Sequence, residues 1–178
     1  SPYYLVNKSL RFRSSASAYL SRTPSVAGNR TTWTWSGWVK RGLLSGSASY
    51  GLFQGKATSL QLTSINFSSD NFQIQDFDNS GGYNLLWTTS AVFRDPSAWY
   101  HIVVAYNTTQ ASSANAVKLY VNGVQQSLTF NPVVGSYLQN RNSFVNATNA
   151  QEIANYYISS YLDGYLAEVN FIDGQALT

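Results

Sequence analysis

The sequence predicts an all-β protein in which two antiparallel sheets pack face to face as a sandwich. Short runs of alternating apolar and polar residues, rich in aromatic and β-branched side chains, recur along the chain, and helical periodicity is hard to find. Clusters of Gly, Asn, Ser and Pro separate these runs, as is typical of strands joined by tight turns. The 178 residues are enough for one domain with a buried core, and no linker or internal repeat divides them. We therefore expect a single domain over residues 1–178, which is either a whole protein or one module of a longer chain.

The pattern assigns about eleven strands to the chain. They cover residues 9–13, 17–20, 31–40, 50–55, 59–67, 71–77, 84–93, 99–107, 116–122, 125–130 and 161–172. The pair Asn122-Gly123 stands between two alternating runs and is the pair that two-residue hairpin turns prefer. The segment TNAQEIAN at 148–155 is predicted as the one helical turn.

Alternation also predicts which side chains face the core. In the strand at 117–122 the apolar positions alternate with polar ones, so one face of this strand is expected to be exposed to solvent. The apolar set is Val117, Leu119 and Val121. In WYHIVVAY at 99–106 both faces are apolar, so we expect a central strand that is covered on both sides. In the strand at 161–172 a single face is expected to carry Tyr165, Ala167, Val169 and Phe171.

The segment TWTWSGWVKR at 32–41 contains three of the five tryptophans of the chain. Trp33 and Trp35 share a face with Val39, and this apolar set predicts a core position. Trp38 lies on the opposite face among small polar residues and Lys40. We expect Trp38 either to pack beneath a covering loop or to line an exposed concave face.

Charged residues make up only 11% of the chain, and their distribution is uneven. Residues 1–69 hold eight of the 11 Lys and Arg residues and no acid, whereas residues 70–178 hold all eight acids. We expect either a dipolar surface or strands of the two halves that pair with each other; the alternative is a basic face for nucleic acid or an acidic partner. No run of five basic residues and no nucleic-acid-binding motif is present, so we expect no nucleic-acid partner.

Cysteine is absent, so the chain has neither a disulfide framework nor a thiol nucleophile. No apolar run approaches the roughly 20 residues that span a bilayer, and no signal peptide opens the sequence. We therefore expect no insertion into a membrane. His101 is the only histidine and lies within an apolar strand, where we expect a half-buried or core residue rather than a catalyst.

Four segments, in this order, resemble the laminin G-like branch of the concanavalin A-like lectin/glucanase superfamily. They are TWTWSGWVKR (32–41), WYHIVVAYN (99–107), VKLYVNGV (117–124) and YLDGYLAEVNFIDGQAL (161–177). The resemblance extends from about residue 9 to residue 178, and it implies a jelly-roll sandwich of two antiparallel sheets. The stretch from SLRFRSS to GWVKRG (9–42) and the ending FIDGQAL are further similar to domains of marine tailed-phage virion proteins, such as tail-fibre or structural components.

Some members of this superfamily are glycoside hydrolases, which place two carboxylates on opposite sides of the scissile bond. The only two glutamates of this chain are Glu152 and Glu168, and the Glu–x–Asp–x–x–Glu strand of those enzymes is absent. We therefore expect no enzymatic activity and no catalytic residues.

Many family members hold one Ca²⁺ at a loop rim, with Asp or Asn side chains and backbone carbonyls as ligands. By this resemblance the run Asp76-Phe77-Asp78-Asn79, or the region of Asp163, would supply such ligands. No dense acidic cage is present, so the sequence predicts no cofactor, with calcium as the alternative.

Sugar recognition requires aromatic faces that stack on the C–H surfaces of sugar rings, and polar groups that hydrogen-bond the hydroxyls. With 13 Tyr and many Asn, Gln and Ser residues, the chain is rich in both types. The same surface would serve subunit packing. The glycan-binding candidates are Trp38, Tyr83, Asn84, Trp87, Tyr137, Asn140, Arg141, Tyr156 and Tyr157.

The leading hypothesis is a non-enzymatic surface protein of a phage particle, either a capsid decoration or a module of a tail fibre or appendage. Its sandwich would display loops, dock on other virion proteins as a symmetric oligomer, and bind a host surface glycan. The alternative is a carbohydrate-binding receptor-recognition module whose main task is adhesion, and a glycoside hydrolase is the remote alternative. The expected location is the virion surface, after assembly in the bacterial cytoplasm.

Overall fold

The predicted all-β sandwich is confirmed. A computed structural model describes residues 6–44 and 48–178, and in this part the chain forms thirteen strands in two antiparallel sheets. The strands are β1 (Leu10–Phe12), β2 (Leu20–Arg22), β3 (Thr32–Arg41), β4 (Ser49–Thr58), β5 (Gln61–Ser68), β6 (Asn71–Asp78), β7 (Tyr83–Val92), β8 (Tyr100–Asn107), β9 (Val117–Val121), β10 (Val124–Gln126), β11 (Leu128–Val134), β12 (Ala150–Ile153) and β13 (Gly164–Asp173). A 3-10 turn at Ser14–Ala16 and a short helix α1 at Ser113–Ala116 complete the described structure.

The strands are divided into a six-stranded and a seven-stranded sheet. The six-stranded sheet has the order β1-β13-β3-β8-β9-β10, and the seven-stranded sheet has the order β11-β7-β6-β5-β4-β12-β2. Several neighbours within each sheet come from distant parts of the chain, as in a jelly roll. The inner faces of the two sheets enclose one hydrophobic core.

The tryptophans predicted for the core lie there. Trp33 and Trp35 are fully buried, as is Val39, and all three are on the inner face of β3. The Trp33 ring stacks on the Tyr106 ring of the neighbouring strand β8, with 4.6 Å between centroids and 7° between planes. Offset stacking of large rings of this kind adds about 0.5–1.5 kcal/mol to the gain from burial.

The predicted hairpin at Asn122-Gly123 is confirmed. Both residues have positive φ (51° and 79°), and Val121 pairs with Val124 on either side of the turn. Positive φ at both central positions is the requirement of a type I′ turn, which Asn-Gly satisfies with least strain. The strand before the turn, β9, alternates as predicted, with buried Val117, Leu119 and Val121.

The prediction of a helical turn at 148–155 is wrong. Residues Ala150–Ile153 form β12, which pairs with β4 on one side and with β2 on the other. Glu152 is buried there, and its carboxylate accepts hydrogen bonds from Gln54 at 2.6 Å and Asn155 at 2.9 Å. These tertiary hydrogen bonds outweigh a local helix preference of a few tenths of a kcal/mol per residue.

The predicted single face of the last strand is also wrong, because β13 contains a bulge. The register shifts between Ala167 and Asn170, and Glu168 has a φ of 49°. Tyr165 pairs with Lys40 on the outer face, whereas Phe171 pairs with Trp35 on the inner face. An extra residue in one strand reverses the alternation beyond it, so strict period-two counting fails here.

Strand β8 is central, but only part of its outer face is covered. His101 and Val103 are half-buried, whereas Ala105 is buried. Ala105 pairs with Thr34, whose hydroxyl donates to the Gln175 carbonyl at 2.7 Å, so the last residues of the chain cover this end. The expectation that 99–106 is covered on both sides therefore holds at one end only.

Candidate functional site

A loop lies across the outer face of the seven-stranded sheet. We call residues 154–161 the covering segment. Ala154 N–H donates to the Leu52 carbonyl at 2.9 Å, and Gly51 N–H donates to the Ser160 carbonyl at 3.1 Å, so the segment runs beside β4. A Cβ at Gly51 would lie 2.1 Å from the backbone carbon of Asn155. Glycine therefore permits the close approach of the segment to the sheet.

Buried polar groups hold the covering segment in place. The Gln54 side chain accepts from Tyr157 N–H at 2.9 Å through its oxygen, and its amide nitrogen donates to Glu152. Lys56 pairs with the same carboxylate at 3.3 Å and donates to the Tyr157 carbonyl at 3.2 Å. Each of these groups has a partner, as rigid polar networks require.

The covering segment and the sheet enclose a cleft of about 580 Å³, which we call the tyrosine cleft. Of the eleven described residues that line it, eight carry a hydroxyl group and none carries a charge. The lining residues are Ser14, Ala48, Ser49, Tyr50, Gln75, Phe77, Tyr156, Tyr157, Ser159, Ser160 and Tyr161. The cleft therefore offers neutral hydrogen-bonding groups between aromatic rings.

A chain of hydrogen bonds organises one wall of the tyrosine cleft. The Tyr156 hydroxyl donates to the Gln75 side-chain oxygen at 2.7 Å, and the Gln75 amide nitrogen donates to the Asn84 oxygen at 2.8 Å. Burial raises the pKa of the Tyr156 phenol above its usual value, and the proximity of Tyr157 raises it further, so the group remains a neutral donor. Asn84 thus supports the cleft from the next strand.

Tyr157 is the most accessible aromatic residue among the predicted candidates in this cleft. Its side chain is 36% exposed, its φ is 59°, and its ring lies 6.3 Å from the Tyr156 ring. The structure therefore brings together Tyr156, Tyr157 and Asn84 from the predicted set.

Tyr83, Trp87 and Tyr137 lie outside the tyrosine cleft. Trp87 is 1% exposed on the inner face of β7, and its indole N–H donates to the Ser113 carbonyl. The Tyr137 hydroxyl donates to the carbonyls of Thr108 and Gln110, and its ring packs edge-on against Trp87. Alternation in β7 places Tyr83 and Trp87 on its inner face, and the packing of Tyr137 against Trp87 holds the Tyr137 ring at the rim of the core.

Tyr83 is buried, and the Arg141 guanidinium lies 3.3 Å from its ring centroid. Burial, together with the Asp76 charge, raises the pKa of Tyr83 to about 12. Arg141 therefore covers the Tyr83 ring instead of reaching into the tyrosine cleft. Asn140, next to it, has a φ of 62° and donates its backbone N–H to the Thr108 carbonyl.

The carboxylates considered for calcium have protein partners. Asp76 is fully buried and accepts from Thr63 at 2.7 Å, Asp78 accepts from Ser80 at 2.7 Å, and Asp163 pairs with Arg11 at 2.7 Å. Among residues 6–44 and 48–178, no three His, Cys, Asp or Glu side chains are grouped as a metal site. The expectation of no cofactor, and calcium as its alternative, stay predictions.

Trp38 lies on the other side of the molecule, on the outer face of the six-stranded sheet. It is half-buried, and its ring is 4.9 Å from the His101 ring. With Trp99 and residues 6–9 it lines a groove of about 290 Å³, which we call the tryptophan groove. Trp38 therefore lines an exposed groove, which was one of the two expectations for it. This groove is on the six-stranded sheet, whereas the covering segment contacts the seven-stranded sheet.

The sequence pattern did not predict most of the tyrosine cleft. Gln75, Tyr50 and the serines of the cleft are absent from the predicted candidates. The available signal is the run YYISSY at 156–161, in which five of six residues carry a hydroxyl group. Only the first two tyrosines of this run are among the candidates.

A double-sheet jelly roll is an architecture that lectin domains share with viral capsid proteins and other families. The profile of the concanavalin A-like lectin/glucanases superfamily, in its laminin G form, matches residues 13–178. The chain belongs to this superfamily. No curated protein sequence matches it.

Solved structures share the fold at low sequence identity. Domains LG4-5 of the mouse laminin alpha1 chain superpose with a TM-score of 0.65 and 13% identity, over 100% of this chain and 44% of that chain. A native heptameric SAP-like pentraxin from Limulus polyphemus superposes with a TM-score of 0.57 and 16% identity, over 90% of this chain and 71% of that chain. The Ruminococcus gnavus IT-sialidase CBM40 bound to alpha2,3 sialyllactose superposes with a TM-score of 0.55 and 12% identity, over 91% of this chain and 94% of that chain. The chain thus spans less than half of the laminin chain, and at these identities the likeness shows the fold alone.

Proposed function

We propose that this chain is a non-enzymatic, lectin-like module that binds a glycan in the tyrosine cleft. The observation that carries the proposal is the lining of the cleft, where eight hydroxyl-bearing residues and no charged residue surround about 580 Å³. A volume of this size lies within the range of roughly 300–1,000 Å³ that small-molecule sites occupy. One or two sugar units fit such a space.

The chemistry of the cleft suits a sugar. The exposed Tyr157 ring offers an apolar face for the C–H side of a pyranose, and the hydroxyl groups and Gln75 offer donors and acceptors for its edges. The Tyr156–Gln75–Asn84 hydrogen bonds fix the polar wall before a ligand arrives. Preorganisation of this kind lowers the entropy cost of binding.

The absence of carboxylates from the described lining supports a binding role without catalysis. Glycosidases place two carboxyl groups about 5–9.5 Å apart across the scissile bond. Glu152 on β12 does not line the cleft; it is buried and already bound by Gln54, Asn155 and Lys56. A glycan bound in the cleft would therefore be retained intact.

The relatives are consistent with this proposal. The CBM40 module was solved with alpha2,3 sialyllactose bound, and it has the same fold over 91% of this chain. A glycan ligand on a sandwich of this type is therefore chemically reasonable for this chain as well.

We further propose that the module acts at the surface of a tailed-phage particle. This setting rests on the similarity of residues 9–42 and of FIDGQAL to domains of marine phage virion proteins. One face would dock on neighbouring virion proteins in a symmetric assembly, while the cleft remains open to a host glycan. The setting is tested by finding the gene in a tailed-phage genome and the chain in the intact particles by cryo-electron microscopy, and absence from either would rule it out.

Glycan retention on an array tests the binding function. We expect the protein to retain at least one neutral glycan, and we expect Tyr157→Ala to weaken that binding about tenfold or more, because the stacking face is lost. Tyr120→Ala is the control, since Tyr120 is also partly exposed but lies on the six-stranded sheet and lines neither the tyrosine cleft nor the tryptophan groove. No retention by the folded wild-type protein, or equal loss in both variants, would contradict glycan binding in this cleft.

A further inference from the structure

The tryptophan groove is a second concave surface that the proposed function does not use. It lies on the outer face of the six-stranded sheet and is lined by Trp38, Trp99 and residues 6–9. Trp38 and Trp99 are both half-buried, so each indole is held by the protein and still presents surface to solvent. They are the two tryptophans that lie outside the hydrophobic core, and both meet in this groove.

Packing against neighbouring rings holds the two indoles. The Trp38 ring lies at 4.9 Å from the His101 ring on the neighbouring strand, and the Trp99 ring lies at 6.3 Å from the Tyr165 ring. The Arg11 guanidinium in turn lies 5.0 Å from the Tyr165 ring centroid. Packed side chains of this kind lose little further entropy when a ligand binds, which favours a binding platform.

The groove also carries positive charge. Lys8 lines it and is exposed, and none of the ion pairs within the described part of the chain involves Lys8. Lys40 lies two residues from Trp38 on the same face of β3. Hydrogen bonds from Ser97 lower the pKa of Asp95, and the Lys40 charge lowers it further. Glu168 does not line this groove, but it lines the next groove along, beside β1, to which Lys8 and Ser9 also contribute. Lys8 is therefore the cation that is best placed to meet a ligand here.

We propose that the tryptophan groove is a second glycan-binding site, and that it takes an acidic sugar unit that carries a carboxylate, such as a uronic acid residue. The indole faces of Trp38 and Trp99 would stack on the C–H surface of the sugar ring. The Lys8 ammonium would pair with the carboxylate, and the side chains of Asn7 and Ser9 would hydrogen-bond the hydroxyls. This ligand differs from that of the tyrosine cleft, where the described lining has no charge.

The charge pattern of the sequence agrees with this site. The acid-free first 69 residues supply Lys8, Arg11 and Lys40 to the same side of one sheet. Arg11 pairs with Asp163 at 2.7 Å, whereas neither Lys8 nor Lys40 takes part in an ion pair of the described residues. The basic segment therefore contributes a positive field at the tryptophan groove, and complementary charge is what an anionic ligand requires.

Affinity electrophoresis and calorimetry with polygalacturonic acid as the probe test this proposal. We expect wild-type protein to bind polygalacturonate more tightly than dextran, with an affinity that falls as salt rises from about 50 to 500 mM. Lys8→Ala should weaken binding about tenfold, and Trp38→Ala should weaken it at least as much. Trp38 is half-buried, so Trp38→Ala can impair folding. Lys8 is exposed, so Lys8→Ala tests the site even if Trp38→Ala does not fold.

Two control variants show whether the binding belongs to this groove. Lys118→Ala removes another lysine from the same sheet, outside the tryptophan groove, and should leave binding unchanged. Tyr157→Ala damages the tyrosine cleft and should also leave polygalacturonate binding unchanged, so failure of the first proposal does not affect this one. No polygalacturonate binding by wild-type protein, or equal loss in Lys8→Ala and Lys118→Ala, would overturn the site. Tighter binding of a single-stranded oligonucleotide than of polygalacturonate, with the same variants defective, would overturn the assigned ligand class.

Discussion

Asp76 is a carboxylate with no access to water, on the inner face of β6. It accepts a hydrogen bond from Thr63 at 2.7 Å and one from Tyr106 at 3.4 Å. Burial raises the pKa of Asp76 from 3.8 to about 6, although the Thr63 hydrogen bond and the Arg141 charge oppose the rise. Arg141, which covers Tyr83, thus acts on Asp76 through its charge.

The raised pKa of Asp76 makes stability depend on pH. The folded protein binds the Asp76 proton more tightly than the unfolded chain does, so the free energy of unfolding falls as pH rises from about 4 to about 6. A difference of about two pKa units corresponds to about 3 kcal/mol. Asp76→Asn removes the titrating group, so we expect this fall to be absent from the variant in urea unfolding at pH 4, 5, 6 and 7.

Asp163 provides a control of opposite sign. Burial acts to raise the pKa of Asp163, but the hydrogen bond and charge of Arg11, together with hydrogen bonds from Ser14, lower this pKa below its usual value. The ionised Asp163 carboxylate therefore adds to the free energy of unfolding at pH values above its pKa in the unfolded chain. This added stability is lost as the pH falls through its lower pKa in the folded protein. Parallel pH curves for the wild-type protein and Asp76→Asn would contradict the role of Asp76.

The three tryptophans of β3 show what a sequence reveals at the residue scale. Alternation alone predicts Trp33 and Trp35 in the core and Trp38 on the other face, because the strand is regular from Thr32 to Arg41. The same rule, applied to β7, places Trp87 inside with Leu85. The prediction of Trp87 as a glycan contact rests instead on its residue type, which does not report burial.

Among the elements, the covering segment depends most on backbone contact. Gly51 and Asn155 approach so closely that no side chain fits between them. Length and composition of the loop do not predict this contact, because it joins residues that are far apart in the sequence. The strand β12 and the β13 bulge escape prediction for the same physical reason, since each depends on partners that are distant along the chain.

Gly51→Ala should displace the covering segment. The added Cβ would meet backbone atoms of Asn155 and Tyr156 at 2.1–2.3 Å, and backbone cannot rotate away as a side chain can. We expect a loss of stability of about 1–3 kcal/mol in thermal or urea unfolding, together with weaker glycan retention.

Gly123→Ala is the control for this effect. Gly123 has a φ of 79° with open space around it, so alanine there strains the β9–β10 hairpin by about 1 kcal/mol without touching the cleft. Its glycan retention should equal that of the wild-type protein. If Gly51→Ala retains glycan as well as Gly123→Ala does, the covering segment does not shape the site.

Across the whole molecule, the uneven charge distribution of the sequence is partly resolved by folding. Arg41 and Asp70 form a buried pair at 2.9 Å, and Arg11–Asp163 and Lys56–Glu152 likewise join a cation of the first 69 residues to an acid of the remainder. Of the two expectations for this charge pattern, strand pairing between the halves is found, since β1 and β3 pair with β13 and β4 pairs with β12. Lys8, beside the tryptophan groove, takes part in none of the ion pairs of the described residues.

The two proposed sites lie on the outer faces of different sheets, with the hydrophobic core between them. Sites that share no residue and are separated by a rigid core affect each other by less than about 0.5 kcal/mol, or about twofold in affinity. We therefore expect the Kd for a neutral glycan that the array identifies to change less than about twofold when polygalacturonate is present at saturation. Isothermal titration in both orders measures this, with Tyr157→Ala and Lys8→Ala each reducing one of the two binding heats. Competition between the two ligands would show that they share a single site, and the assignment of one ligand to each sheet would then be wrong.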